Sequence, residues 1–160
     1  MTTPATAPAG ATPANDRSSD FVTVHIGDQL FGIPISLVQD VFQPQRITSV
    51  PLSHPDIAGV LNLRGRIVTA IDCRSRLGIG RRTETGPRMA VGIEHQSESY
   101  GLVIDKVGEV LSLSAQQFEA NPANLDPKWR GVSKGVYRLD GKLLVVLDVA
   151  SLLDLEKAAA

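Results

Sequence analysis

Residues 59–77 read GVLNLRGRIVTAIDCRSRL, and residues 135–153 read GVYRLDGKLLVVLDVASLL. At a constant offset of 76 they align Gly59 with Gly135, Gly65 with Gly141, Asp72 with Asp148 and Leu77 with Leu153. Upstream, FGIPISLVQDV (31–41) and YGLVIDKVGEV (100–110) align at an offset of 69. That register sets Phe31 on Tyr100, Gly32 on Gly101, Val38 on Val107 and Asp40 on Glu109. Scattered apolar matches arise by chance in any β protein, whereas glycines, acids and turn positions in one register are a much rarer coincidence. The chain reads as a duplicated unit, with seven extra residues in the second copy around Ser114–Gly131.

The local chemistry of each copy predicts short strands and tight turns. FVTVHI alternates, with Val22, Val24 and Ile26 on one face, and Gly27-Asp28 is a two-residue hairpin signal before LFGIPI. SLVQDVF could hold one helical turn before a further extended run, RITSV. VLNL and RIVTAI flank a turn at Arg64-Gly65, and Asp72 stands where an N-cap belongs for a short helix stopped by Gly78. MAVGIE, YGLVIDKV and GEVLSL restart the pattern. Ser114 with Gln117 has capping-box spacing, and Asp126-Pro127 opens a helix ended by Gly131. GVYRL and KLLVVL form a hairpin over Asp140-Gly141, and Asp148 caps a last helix.

Each copy is about five strands in some 65–70 residues, a size that is marginal alone. Two such units, about 20–88 and 89–155, are expected to pack together as closed or nearly closed β-barrels within one domain spanning 20–157. Residues 1–19 contain no Val, Ile, Leu or aromatic residue and are expected to form a disordered tail. Residues 79–88 read as loop, and Lys157–Ala160 as a fraying end.

Composition narrows the function. The chain has 160 residues, 16 basic against 17 acidic, and a net charge of −1, which argues against a globally basic nucleic-acid binder. No apolar run reaches the length of a membrane span. The single cysteine, Cys73, excludes a disulfide framework and a cysteine-based zinc site. There is no secretory pattern at the N-terminus, so a reducing, cytoplasmic setting is expected. His25, His54 and His95 lack ligand spacing, so no metal and no cofactor is expected. There is no Walker loop, no dinucleotide loop and no nucleophile elbow. Asp72 and Asp148 look like paired carboxylates, yet their repeat-related place ahead of a helix makes each a cap. No catalytic constellation emerges, and the chain is not expected to be an enzyme.

Contact chemistry is better represented. Seven arginines (64, 66, 74, 76, 81, 82 and 88) crowd one region, as a solvated face or as a surface for an acidic partner. Arg64 stands apart. The repeat places Asp140-Gly141 at the equivalent turn, an ideal short-turn pair. Arg64 in a type I′ turn needs a positive φ at a cost on the order of 1 kcal/mol, and in a type II turn needs none. In either case a guanidinium stands on a hairpin tip with no local reason to be there. Val38, Asp40 and Val41 share one short segment, where the two valines could serve packing or contact. Trp129 reads as a satellite of the core.

With these residues laid out, GVLNLRGRIVTAIDCRSRLG (59–78) resembles the signature of the CheW-type coupling proteins of bacterial chemotaxis. FGIPISLVQDV and GLVIDKVGEVLSLSAQQ (101–117) are similar to that family's first and second blocks, and the likeness covers about residues 20–155. The resemblance implies a mainly β fold of two SH3-like five-stranded barrels with short connecting helices and a C-terminal helix. It implies a non-enzymatic scaffold joining methyl-accepting chemoreceptor cytoplasmic tips to the histidine kinase CheA through the kinase's own CheW-like regulatory domain. Ring-forming contacts with other CheW-like domains and recruitment to membrane-associated arrays come with it. Carried over by motif, Arg64 and Asn62 of Asn-Leu-Arg-Gly are the partner-binding residues, with Val38, Asp40 and Val41. Asp40 stands where the family commonly has Glu, one methylene longer. The alternatives are an adaptor of another chemosensory pathway, for twitching or gliding, a groove enzyme, and a small β-barrel binder of nucleic acid. The last would need exposed aromatics for base stacking.

Overall fold

The computed structural model describes residues 18–51, 54–80 and 87–154. The expected tail lies outside the described residues as far as position 17, as do Lys157–Ala160 and the centre of the 79–88 loop. Ser18 and Ser19, assigned to the tail, already belong to the first strand. Their backbone pairs with Ser114 and Leu113, which their side chains gave no reason to foresee.

In the first copy, β1 (Ser18–Ile26) and β2 (Gln29–Pro34) form a hairpin. A 3-10 turn, Ile35–Leu37, then leads to β3 (Val38–Phe42). The SLVQDVF segment is therefore one turn followed by a strand. Within RITSV, Thr48 forms an isolated bridge to Val60 in place of a regular strand. β4 (Ile57–Leu63) and β5 (Arg66–Asp72) make the second hairpin, followed by α1 (Cys73–Arg76). In the second copy β6 (Met89–His95), β7 (Glu98–Ile104) and β8 (Lys106–Ser114) lead through a 3-10 turn to β9 (Phe118–Glu119). α2 (Pro127–Arg130), β10 (Ser133–Leu139), β11 (Lys142–Leu147) and α3 (Val149–Leu153) complete the order. The capping chemistry is as read. The Asp72 carboxylate accepts from the Arg74 and Ser75 amides, Asp148 from Ser151, and Asp126 from Lys128.

The strands form two sheets, in the orders β9-β10-β11-β2-β1-β8 and β3-β6-β7-β5-β4. Both curl closed. β8 and β9, at opposite ends of the first sheet, are joined by a 3-10 turn alone. In the second, the chain running on from β3 bridges to β4 through Thr48 and Val60. The duplication shows in the ladders. β11 pairs parallel to β2 with Val145 opposite Phe31, and β5 pairs parallel to β7 with Thr69 opposite Tyr100, positions the repeat offsets superpose.

The expected division at residues 88/89 is not the division of the sheets. β3 to β7 make one barrel from a continuous stretch, 38–104, here barrel 2. β1 and β2 join β8 to β11 in barrel 1, so barrel 2 is inserted within barrel 1. Asp105 alone links β7 to β8. One residue cannot reverse a strand, since the tightest common hairpins need two, so the chain runs on into the other sheet.

Three apolar clusters follow. Leu61, Val68, Ala70 and Val103 fill barrel 2, and Phe21, Leu30, Leu113, Tyr137, Leu144 and Val146 fill barrel 1. The largest cluster lies between them and includes Val22, Val24, Ile26, Phe31, Ile71 and Leu102. Trp129 packs on it, its ring edge-on to Phe31 at 5.4 Å and its indole N–H donating to the Leu77 carbonyl.

Candidate partner-docking site

One end of barrel 2 gathers the polar residues singled out in the sequence. Arg64 and Gly65 close the β4–β5 hairpin with φ of 52° and 84°, a type I′ turn, so the guanidinium stands on strained backbone. The Asn62 side-chain oxygen accepts from the Gly65 amide at 2.9 Å and fixes the turn. At the corresponding Asp140-Gly141 turn only the glycine is left-handed.

Asp40 reaches this tip from β3. The register shifts between Val38 and Asp40, a bulge at Gln39 that turns the Asp40 carboxylate to the barrel mouth. There it accepts from the Arg64 Nη1 at 2.5 Å, and from the Val41 amide at 2.9 Å. Arg64 is 73% exposed and Asp40 24%, so the arginine overlies the carboxylate and turns the rest of its guanidinium to solvent. Beneath them is a cavity of about 140 Å³ lined in part by Phe42, Leu63, Val68 and Tyr100. Its rim is tied by Gln39 to Glu94 and by Arg66 to the Ser99 hydroxyl. The Tyr100 hydroxyl donates to Glu98, and this bond, followed by burial, raises its pKa.

The structure thus joins Arg64, Asp40 and Asn62, and places the valines beside them. Val41 is 39% exposed on the flank of β3, whereas Val38 packs against the inter-barrel core. Gln39 and Tyr100 were not singled out as site residues, and Arg66 only as one of the arginine cluster. Their positions opposite Gly108, Phe31 and Lys142 in the repeat were the available signal.

The arginine cluster divides. Arg74 is a structural bolt: Nε and Nη2 donate to the Asp105 carboxylate at 2.9 and 2.7 Å, and Nη1 to the Gly80 carbonyl. Arg76 donates to the Ser151 and Leu152 carbonyls at the end of α3. Arg81 and Arg82 lie outside the described residues. Cys73 is fully buried, and burial pushes its thiol far above the usual range.

Residues 20–157 match the family model described as the CheW-like domain. The chain belongs to the CheW-like family. It is 27% identical over 138 residues to a chemotaxis protein CheW of Thermotoga maritima, covering 86% of this chain and 89% of that one. It is 28% identical over 140 residues to one of Klebsiella aerogenes, covering 88% and 84%. A crystal structure of the scaffolding protein TtCheW from Thermoanaerobacter tengcongensis superposes with a TM-score of 0.76 at 27% identity, covering 86% of this chain and 93% of that one. In this CheW-like chain, no helix among the described residues is long and apolar enough to cross a membrane. The two SH3-like barrels, their short helices and the final helix agree with the sequence expectation, except that barrel 1 has six strands rather than five, because the two-residue β9 adds to its edge.

Proposed function

We propose that this chain is a non-enzymatic adaptor that couples chemoreceptor cytoplasmic tips to the histidine kinase CheA, working from the cytoplasm at receptor arrays. The observation that carries the reading is Arg64. A guanidinium is held on a strained turn, steered by a recessed carboxylate and left largely open to solvent, in a chain of the CheW-like family. So exposed an ion pair adds little to folding, while planar guanidinium recognition of a partner's carboxylate or carbonyl oxygens suits it. The flank of β3, with Val41 and the exposed Ile35 and Leu37 just before it, offers an apolar strip to an amphipathic helix. Partner binding then biases the kinase between states by differential contact, with no covalent step.

Co-purification with a CheA regulatory domain and a receptor cytoplasmic fragment tests this. The chain is expected to retain both. Arg64→Ala should keep the circular dichroism spectrum and melting temperature of the parent and weaken at least one partner about tenfold, a typical hot-spot loss of about 1.4 kcal/mol. Unchanged affinity for both partners would remove Arg64 from the interface.

A further inference from the structure

At the end of barrel 1 where β1 begins and β2 ends, opposite its hairpin tips, lies a pocket of about 490 Å³, within the roughly 300–1,000 Å³ of ordinary ligand sites. Its walls are aromatic. The Tyr137 ring packs against both Phe21 and Phe118, at centroid distances of 5.5 and 5.3 Å, and Phe118 is 40% exposed. Tyr137 is 3% exposed, and its hydroxyl makes no hydrogen bond among the described residues. Lys134 lines the pocket, exposed and without an ion pair among the described residues, and the exposed Ile35 closes one side.

The repeat copy lacks this chemistry. At the offsets that superpose the two barrels, Phe21, Lys134 and Tyr137 become Ala90, Ala58 and Leu61, and Ile47 packs on that cluster from the chain running on from β3. Barrel 1 instead has aromatic walls with open space between them, and a buried tyrosine hydroxyl that lacks its partner. Both point to an occupant with carbonyl oxygens and ring-sized apolar groups. Proline-bearing segments have that chemistry. Their extended polyproline conformation is preformed, leaves its carbonyls unpaired and docks on aromatic walls.

The chain itself supplies such a segment. Ser19 and Asp20 line the pocket, so the seventeen residues ahead of Ser18, which lie outside the described part, are tethered at its rim. Residues 1–15 carry no charged side chain and hold Pro4, Pro8 and Pro13 among alanines and threonines. Pro13 is five residues from Ser18, a reach of up to about 17 Å. We propose that the pocket is a seat for this chain's own segment Pro4–Pro13, with proline rings on the aromatic walls and carbonyls toward Tyr137 and Lys134. A short tether gives an effective concentration on the order of 1 mM, so a segment with a dissociation constant of about 1 mM is seated about half the time. Ile35 also belongs to the apolar strip assigned to a partner helix, so the seated segment and the helix exclude each other. That competition rests on the adaptor reading above; the seat does not.

A nitroxide attached at Ala9→Cys tests this in the full chain by nuclear magnetic resonance, since the one natural cysteine, Cys73, is buried. The amide signals of Ser36, Phe118 and Lys134, which line the pocket, should lose most of their intensity, while those of the Arg64 turn keep theirs. Replacing the prolines in the same labelled chain, Pro4→Ser, Pro8→Ser and Pro13→Ser, should restore Phe118 and Lys134. Equal losses with and without the prolines describe a loose tether and overturn the proposal, as do signals that never broaden. Losses seen only between a nitroxide-bearing chain and a separate isotope-labelled chain assign the seat to a second copy and overturn it too. The proline variant should also bind a receptor cytoplasmic fragment about twofold more tightly, because the half of the chains with the segment seated are freed. Unchanged affinity overturns the competition. A parent chain that binds no receptor fragment removes the adaptor reading and leaves the nitroxide result to judge the seat.

Discussion

Arg74→Ala should be among the most damaging single changes in the molecule, although Arg74 sits in a run of arginines that looks like surface. Asp105 is 5% exposed and is the sole residue between the two barrels at the β7–β8 crossing; Arg74 is 15% exposed. The carboxylate accepts two guanidinium bonds, at 2.9 and 2.7 Å, and the Gly27 amide at 2.8 Å from the β1–β2 turn. Three elements therefore converge on one buried anion. Truncating Arg74 removes the counter-charge and leaves the carboxylate desolvated. Breaking a buried pair from one side costs about 3–5 kcal/mol. With a urea m-value of about 2 kcal/mol per molar, the midpoint should fall by roughly 1.5–2.5 M. Replacing both partners, Arg74→Met with Asp105→Leu, should be less harmful than Arg74→Met alone, because no buried charge remains. Equilibrium urea unfolding followed by Trp129 fluorescence reads all three variants. A loss below about 1 kcal/mol for Arg74→Ala, or a double variant worse than the single one, would refute the buried-bolt reasoning.

Gly59→Ala and Gly135→Ala should each lose about 3 kcal/mol or more by thermal melting. At φ of 149° and 154° a new Cβ would meet the Thr48 carbonyl in one barrel and the Phe118 ring in the other. Cys73 should resist a thiol reagent in the native protein and react at once in urea. Its raised pKa also has a sign. Above the ordinary value of 9.0 the unfolded chain loses the Cys73 proton and the folded chain keeps it, so stability should fall by about 1.4 kcal/mol per pH unit. Cys73→Ala should remove that slope, and an unchanged slope would refute burial of the thiol. The exposed Arg64–Asp40 pair should contribute no more than about 1 kcal/mol in a double-mutant cycle and fade in 1 M salt; a larger coupling would make it a folding element.

The apolar alternation of FVTVHI was legible because it is local, and its Val22, Val24 and Ile26 do line the shared core. So were the caps at Asp72, Asp126 and Asp148 and the hairpin turns, since each is decided within a few residues. Arg64 and Asn62 were legible as a motif, and the strain beneath Arg64 as one of two turn types, of which the structure has type I′. Asp40 was legible as a position, while its role under Arg64 depends on a bulge at Gln39 that the spacing of SLVQDV does not reveal.

By itself the sequence determined the duplication, the hairpins within each copy and the faces they bury, because turn chemistry and side-chain alternation act over short range. Only the tertiary structure decided which hairpins share a sheet. The two copies carry the same local pattern, so β2 could equally seek β5 or β11, and the local code is silent between them. The single-residue link at Asp105 and the 3-10 turn at Ile35–Leu37 send the chain across. With that crossing fixed, Asp40 meets Arg64 and Arg74 meets Asp105, contacts between residues 24 and 31 positions apart that no local rule could have joined.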